Sequence, residues 1–386
     1  MSELFKMLHH KMKSLSTLSL FLFLFSCTDI AGQVSDESNG AYNKARTKKI
    51  LLNFDENKDG KFQKEEGEKM WARYKSLDEN KDDVLTSEEL DKSMIGYLTI
   101  SGPKKLNVLY KNTQEQDLYL DIYYPNEVDK SKKLPVVVYT HGGGWAAGSR
   151  HGIANASFGK VAKKLLAEGF CVVTVSYRLY KKGGTTTMRD CVVDAKDALR
   201  YLSKNSEKLG IDSKRFFSFG DSAGGQIAQM LLLSASEELK GDGELATYSY
   251  NMIAGVSWYG PCDFEKTSLF NHNDRKGFRD RFGPRILKSD SDPKDKLALY
   301  REMSPINYLT TKSPPLLMIQ GDKDTTIPVK HAYYMKEKAD SINAPVEIMI
   351  IENAGHNWRK AEKEKDIKPT REEIIQKTVD FLVSYK

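Results

Sequence analysis

The sequence predicts an α/β protein, with a mainly parallel sheet flanked by helices, preceded by a small all-α module. Apolar strand patterns alternate with helical patterns through residues 116–386, the arrangement that parallel strands joined by crossover helices require. Inside that stretch, Arg215-Phe216-Phe217-Ser218-Phe219 runs through Gly220-Asp221-Ser222-Ala223-Gly224 into Gln226–Leu233, a strand that reverses into a helix over a turn of small residues. Upstream, two acidic loops of matching pattern, Asp55–Glu66 and Asp78–Glu89, lie on either side of one short helical stretch. Four segments follow: a leader over 1–26, a tether over 27–43, the paired-loop module over 44–98 and a large domain over 104–386.

The leader places Lys6, Lys11 and Lys13 ahead of an apolar run from Leu15 to Phe25, followed by Ser26-Cys27. This resembles a lipoprotein signal cleaved before Cys27. Phe25 departs from the small residue usual there, and Met12 offers an alternative start. The run is shorter than the ~20 residues that span a bilayer, so the expectation is an exported protein held on a membrane through lipidated Cys27. Polar, Gly- and Ser-containing residues Asp29–Asn43 then read as a flexible tether.

In the first loop Asp55, Asn57 and Asp59 offer oxygen at alternate positions, Lys61 a main-chain carbonyl and Glu66 a closing bidentate carboxylate, with Gly60 at the tight bend. This is the calcium pattern of an EF-hand. Asp78, Asn80, Asp82, Val84 and Glu89 repeat it, but Asp83 stands where glycine belongs, so weaker binding is expected there. Phe62 and Leu85 fall at equivalent positions, which a solvated acidic surface does not require. Only one helix, Gly67 to Leu77, fits between the loops, and a structural Ca2+ clip suits this spacing better than a sensor. Millimolar extracellular calcium fills even modest sites.

Of 386 residues, 29% are charged and 40% hydrophobic, enough for one large core and a small module. The net charge of +6 comes from Lys interspersed with acids, so nucleic acid is not an expected partner. Cys171 and Cys191 fall in apolar patterns and read as buried thiols.

Ser222 sits on the turn between strand and helix, where its hydroxyl clears the sheet and helix amides favour developing negative charge. A serine hydroxyl needs a base, and the base needs a carboxylate to orient it. The chain has 7 His. His9 and His10 lie in the leader, His141 within a glycine run and His151 just after it. His272 falls in a polar insertion and reads as solvated, and His331 at a helix start reads as a surface residue. His356 follows the strand Val346–Ile351 on a loop at its C-terminal end, the edge of an α/β sheet that carries chemistry. Asp322 and Asp324, after the apolar strand Pro314–Gln320, both qualify as its carboxylate. Leu134–Thr140 reads as a strand entering His141-Gly142-Gly143-Gly144-Trp145, whose bare backbone suits an oxyanion site built from the amides of Gly143, Gly144 and Ala223. Neither G-x-G-x-x-G nor a Walker lysine follows, which argues against a phosphate loop.

From about Leu106 onward the chain resembles the α/β-hydrolase superfamily, in the branch joining hormone-sensitive-lipase-like enzymes to bacterial acetyl xylan and feruloyl esterases. The resemblance rests on Leu118-Tyr119-Leu120-Asp121-Ile122-Tyr123-Tyr124-Pro125, His-Gly-Gly-Gly-Trp, Val175-Ser176-Tyr177-Arg178-Leu179, Gly-Asp-Ser-Ala-Gly-Gly and Ser304-Pro305-Ile306-Asn307-Tyr308. It implies the α/β-hydrolase fold and places the acid at Asp324, giving the order Ser222, Asp324, His356. Asp322 is then left to bond loop amides. It further implies a serine esterase acting on acetyl or feruloyl groups of a small-molecule or polysaccharide ester, with no cofactor for catalysis. The same scaffold hosts arylformamidases and peptidases, and a non-catalytic, calcium-dependent glycan-binding lipoprotein is the reading from another class. The insertion between Tyr259 and Ser304 carries Arg275, Lys276, Arg279, Arg281 and Arg285, either a solvated basic face or a wall meeting an anionic polysaccharide.

Overall fold

The computed structural model describes residues 47–92 and 100–386, except 49, 79, 128, 130, 155, 271–281 and 288–294. The leader, Cys27, the tether, His272, Arg275, Lys276, Arg279 and Arg281 lie outside the described residues. Eight strands form one sheet: β1 (Lys104–Asn112), β2 (Asp117–Tyr123), β3 (Leu134–Thr140), β4 (Cys171–Val175), β5 (Ile211–Asp221), β6 (Met252–Trp258), β7 (Leu316–Gly321) and β8 (Val346–Ile351). Their spatial order is β1-β2-β4-β3-β5-β6-β7-β8. β1 and β2 pair antiparallel, as do β2 and β4, and every pairing from β4 through β3 to β8 is parallel. The register aligns Thr140 with Gly220 and Gly220 with Ser257, so neighbouring strands end together along one edge.

The central strands are apolar throughout because both faces are covered. Val136 and Val138 enter the core under α2 (Met188–Lys204), α3 (Ala223–Leu233) and α4 (Lys330–Ile342). Val137 and Tyr139, pointing the other way by strand alternation, join the core under α1 (Ala156–Ala167) and α5 (Arg371–Ser384). This is the α/β-hydrolase architecture. Cys171, Cys191 and Cys262 are buried free thiols.

Helix α2 buries charge as well as apolar side chains. Asp194, Lys196, Asp197 and Arg200 are all inaccessible to solvent. Lys111 Nζ reaches Asp194 at 2.7 Å and Asp197 at 2.6 Å, Arg200 bonds Asp197 at 2.7 Å, and Lys196 donates to Ser234 Oγ at 2.8 Å and to the Ala235 carbonyl at 2.7 Å. Each buried charge therefore has a polar partner, as burial demands.

In the N-terminal module a two-residue antiparallel ribbon pairs Phe62 with Leu85 and Gln63 with Val84. Between the loops run the helix Glu68–Tyr74 and a tighter turn, Lys75–Leu77. Phe62 and Leu85 are fully buried, and Ile50, Trp71, Tyr74 and Leu90 complete a separate small core.

Candidate active site

Ser222 holds a strained positive-φ conformation, φ 53, ψ −118, at the head of α3, and its amide donates to the Trp258 carbonyl at 2.8 Å. That strain is kept because the neighbours leave no alternative path: a Cβ on Gly224 would lie 2.0 Å from the Thr140 carbonyl oxygen, so α3 starts in backbone contact with β3. Thr140 Oγ1 donates to the Gly224 carbonyl at 2.7 Å and ties the two together.

His356 Nε2 lies 3.0 Å from Ser222 Oγ, and His356 Nδ1 lies 2.7 Å from Asp324 Oδ2. Asp324 is 2% exposed. Its Oδ1 accepts the amides of Thr326 at 2.7 Å and Ile327 at 2.9 Å, and Gln320 Nε2 donates to Oδ2 at 3.1 Å. These bonds hold a carboxylate that fixes the proton of His356 on Nδ1 and leaves Nε2 to accept from serine. Asp322 instead accepts the Ala354 amide at 3.3 Å. The ring of Tyr259 packs 4.7 Å from that of His356 and restricts its swing.

The glycine run forms the opposite wall. Gly143 and Gly144 have φ of 121 and 60, and a Cβ on Gly143 would lie 2.0 Å from the Ala147 carbonyl oxygen. The Gly142 amide is already used, donating to Asp221 Oδ1 at 2.8 Å. The Gly143 and Gly144 amides follow it along the run, and the Ala223 amide opens α3 beside Ser222. His141 is a structural residue: its ring stacks on Tyr177 at 4.2 Å, and burial lowers its pKa to about 4.

Sequence alone gives Asp221 no role. Its Oδ1 also accepts Tyr139 Oη at 2.8 Å, so one oxygen ties the serine turn to both β3 and the glycine run. Burial raises its pKa to about 6 against the lowering effect of those two bonds. The available signal was a carboxylate at a variable position of the serine motif. His331 corrects the surface expectation. It is fully buried, its ring 4.4 Å from that of Phe270, its Nδ1 accepting the Cys262 amide at 3.3 Å, and its pKa lowered to about 3 by burial. The insertion folds Phe270 back over the start of α4, a long-range contact that local pattern does not reveal.

The paired loops present only oxygen donors, a set that fits a hard cation. Asp55 accepts the amides of Asp59 at 3.2 Å and Gly60 at 2.9 Å, Asn57 that of Asp59 at 2.9 Å, and Asp59 that of Lys61 at 2.9 Å. Asp78, Asn80 and Asp82 make the matching bonds to Asp82, Asp83 and Val84. Asp83 takes φ 60 where Gly60 takes 82. Glu66 reaches across its loop to the Asn57 amide at 3.1 Å, and Glu89 accepts from Thr86, at 2.9 Å from its amide and 2.8 Å from its hydroxyl. Among the described residues no three His, Cys, Asp or Glu side chains converge into a metal-binding group.

Sheet order and the strained serine turn give the α/β-hydrolase fold, with Ser222, His356 and Asp324 joined by hydrogen bonds at the ends of its strands. The BD-FAE family model matches residues 120–339, and the chain belongs to that family. Esterase LipC of Mycobacterium tuberculosis is 28% identical over 255 residues, covering 65% of this chain and 59% of its own length. Isoprenylcysteine alpha-carbonyl methylesterase ICME of Arabidopsis thaliana is 26% identical, covering 61% and 53%. The chain thus spans little more than half the length of these curated relatives. Among solved structures, Thermogutta terrifontis esterase 2 phosphonylated by sarin superposes with a TM-score of 0.60 at 22% identity, covering 72% of this chain and 94% of that one. A truncated form of carbohydrate esterase from gut microbiota gives a TM-score of 0.57 at 22% identity, covering 74% and 96%. Both share the fold.

Proposed function

We propose that this protein is a serine esterase that hydrolyses carboxylic esters, with acetyl or feruloyl groups on carbohydrate as its substrates. The observation that carries this is the unbroken line from Ser222 Oγ to His356 at 3.0 Å and from His356 to Asp324 at 2.7 Å. The esterase names of the curated relatives support the ester class. The carbohydrate part rests on the motif resemblance.

In this mechanism Ser222 Oγ attacks the ester carbonyl as His356 Nε2 takes its proton, and the carbonyl oxygen becomes an anion held by the amides of Gly143, Gly144 and Ala223. Collapse breaks the bond to the alcohol oxygen, which leaves with the proton from His356. Water then gives a proton to His356 and attacks the acyl carbon, releasing the acid and restoring Ser222. Asp324 keeps His356 in the required tautomer and stabilises its charged form.

Hydrolysis of p-nitrophenyl acetate by the wild type, abolished in Ser222→Ala, is the expected result. Asp324→Asn costs about 10⁴-fold in kcat through the wrong tautomer, while Asp322→Asn leaves the rate near wild type. An inactive wild type, or an undiminished Ser222→Ala, overturns the reading. Release of acetate or ferulate from acetylated and feruloylated xylans tests the substrate class.

The same proposal includes calcium in the paired loops, held by the side chains of Asp55, Asn57, Asp59 and Glu66 with the Lys61 carbonyl, and more weakly by Asp78, Asn80, Asp82 and Glu89 with the Val84 carbonyl. It also includes export and a lipid anchor at Cys27. Mass spectrometry of the membrane fraction, with Cys27→Ser as control, tests the anchor.

A further inference from the structure

Residues Gly283–Ile286 of the insertion form one helical turn above the glycine run. Phe282, at the head of this turn, is buried and packs edge-on against Trp145 with ring centroids 5.3 Å apart and against Phe270 at 5.4 Å. Trp145 is itself pinned by its indole N–H, which donates to Gln226 Oε1 at 3.1 Å. The turn is therefore fixed to the wall of the active site, and Arg285 is fixed with it. The guanidinium of Arg285 lies 5.3 Å from the Phe282 ring centroid, and its Nη1 stands 2.6 Å from where a Cβ on Gly144 would be. A cation thus stands beside Gly144, whose amide the mechanism assigns to the oxyanion, and the ester mechanism assigns that cation no role.

We propose that Arg285 makes this site selective for esters that carry a carboxylate near the scissile bond, an inference that rests on the ester reading above. With the carbonyl oxygen of a substrate at Gly144, groups a few bonds away on the acyl or the alcohol side come within reach of the guanidinium. Arginine keeps its charge at any working pH, and its planar donors match a carboxylate two bonds at a time. The Phe282 ring keeps water from one side of the guanidinium and weakens the screening that makes exposed ion pairs negligible.

The test compares two matched pairs: p-nitrophenyl hemisuccinate against p-nitrophenyl butyrate, and the acetylated methyl glycoside of glucuronic acid against that of glucose. The first pair puts the charge on the acyl side, the second on the alcohol side. The wild type is expected to favour the anionic member of at least one pair, and the preference to shrink as salt is added. Arg285→Gln should lower kcat/KM for that member about 10-fold or more and for its neutral partner by less than about 3-fold, with Arg285→Lys between them. Absence of any charge preference in a wild type that cleaves the neutral esters overturns this inference alone. Equal losses on both members in Arg285→Gln also overturn it and assign the cation to the oxyanion instead. A wild type that cleaves none of the four esters removes the ester reading and this inference together.

Discussion

Asp221 accepts two buried donors on one oxygen, and the fate of each on substitution can be separated. Asp221→Ala leaves Tyr139 Oη and the Gly142 N–H without their acceptor, at about 1–3 kcal/mol for each unpaired group, and frees the glycine run to drift. The expected result is a fall in kcat of about 10²-fold, the scale of losing one oxyanion donor, with KM little changed. Asp221→Asn keeps the accepting oxygen and should retain most activity. Its stability carries the clearer sign. The folded carboxyl titrates at about 6, above its usual 3.8, so the neutral form is the favoured one; its contribution is complete below the unfolded value and is lost as pH rises through about 6. Asp221→Asn should accordingly melt higher than wild type at pH 7.5, with the advantage vanishing near pH 4. Thermal unfolding at the two pH values checks it. Ser222 and His356 were legible in the sequence because each lies in a short motif at a strand end. The choice between Asp322 and Asp324 needed the family resemblance, and the role of Asp221 needed the structure, since its two partners come from another strand and the loop beyond it.

At the level of elements, the contact between α3 and β3 is among the tightest of the described residues. A methyl group on Gly224 would meet the backbone carbonyl oxygens of Thr140 at 2.0 Å and His141 at 2.5 Å, neither of which can swing aside. Gly224→Ala should therefore push α3 from the sheet, lower stability by about 1–3 kcal/mol and depress kcat more than the loss of stability explains. Gly243→Ala, where nothing stands within 4 Å, is the control. Denaturant melts and kinetics on the two variants decide it. The glycine-rich motif announced a close approach, but not to which strand. Helix α2 was legible only as a helix, because Asp194, Lys196, Asp197 and Arg200 would be assigned to a wet face by periodicity, whereas ion pairs and carbonyl partners satisfy them inside.

For the whole molecule, two hydrophobic cores flank one sheet and a third, much smaller, belongs to the paired loops. If the loops hold calcium as proposed, chelation should lower the melting of residues 47–92 while the large domain melts as before, with kcat changed by less than about 2-fold; stabilisation should track free calcium by mass action. Calorimetry with and without chelator separates the two transitions, and a single coupled transition would show that the module braces the catalytic domain. The α/β class was evident from alternating strand and helix patterns. The antiparallel edge of β1 and β2 was not, because strand order depends on which neighbours a strand meets rather than on its own residues.

The order in which the strands are synthesised has its own outcome. β5, β7 and β8 lead into Ser222, Asp324 and His356, and the histidine comes on the loop after β8, the last strand of this sheet to be made. A ribosome that has released the first three hundred residues has therefore exposed a nucleophile with nothing to activate it. If the site acts as proposed, the nascent chain stays silent toward esters until His356 docks beside Ser222, so a copy that stops short of that residue has no base for its nucleophile.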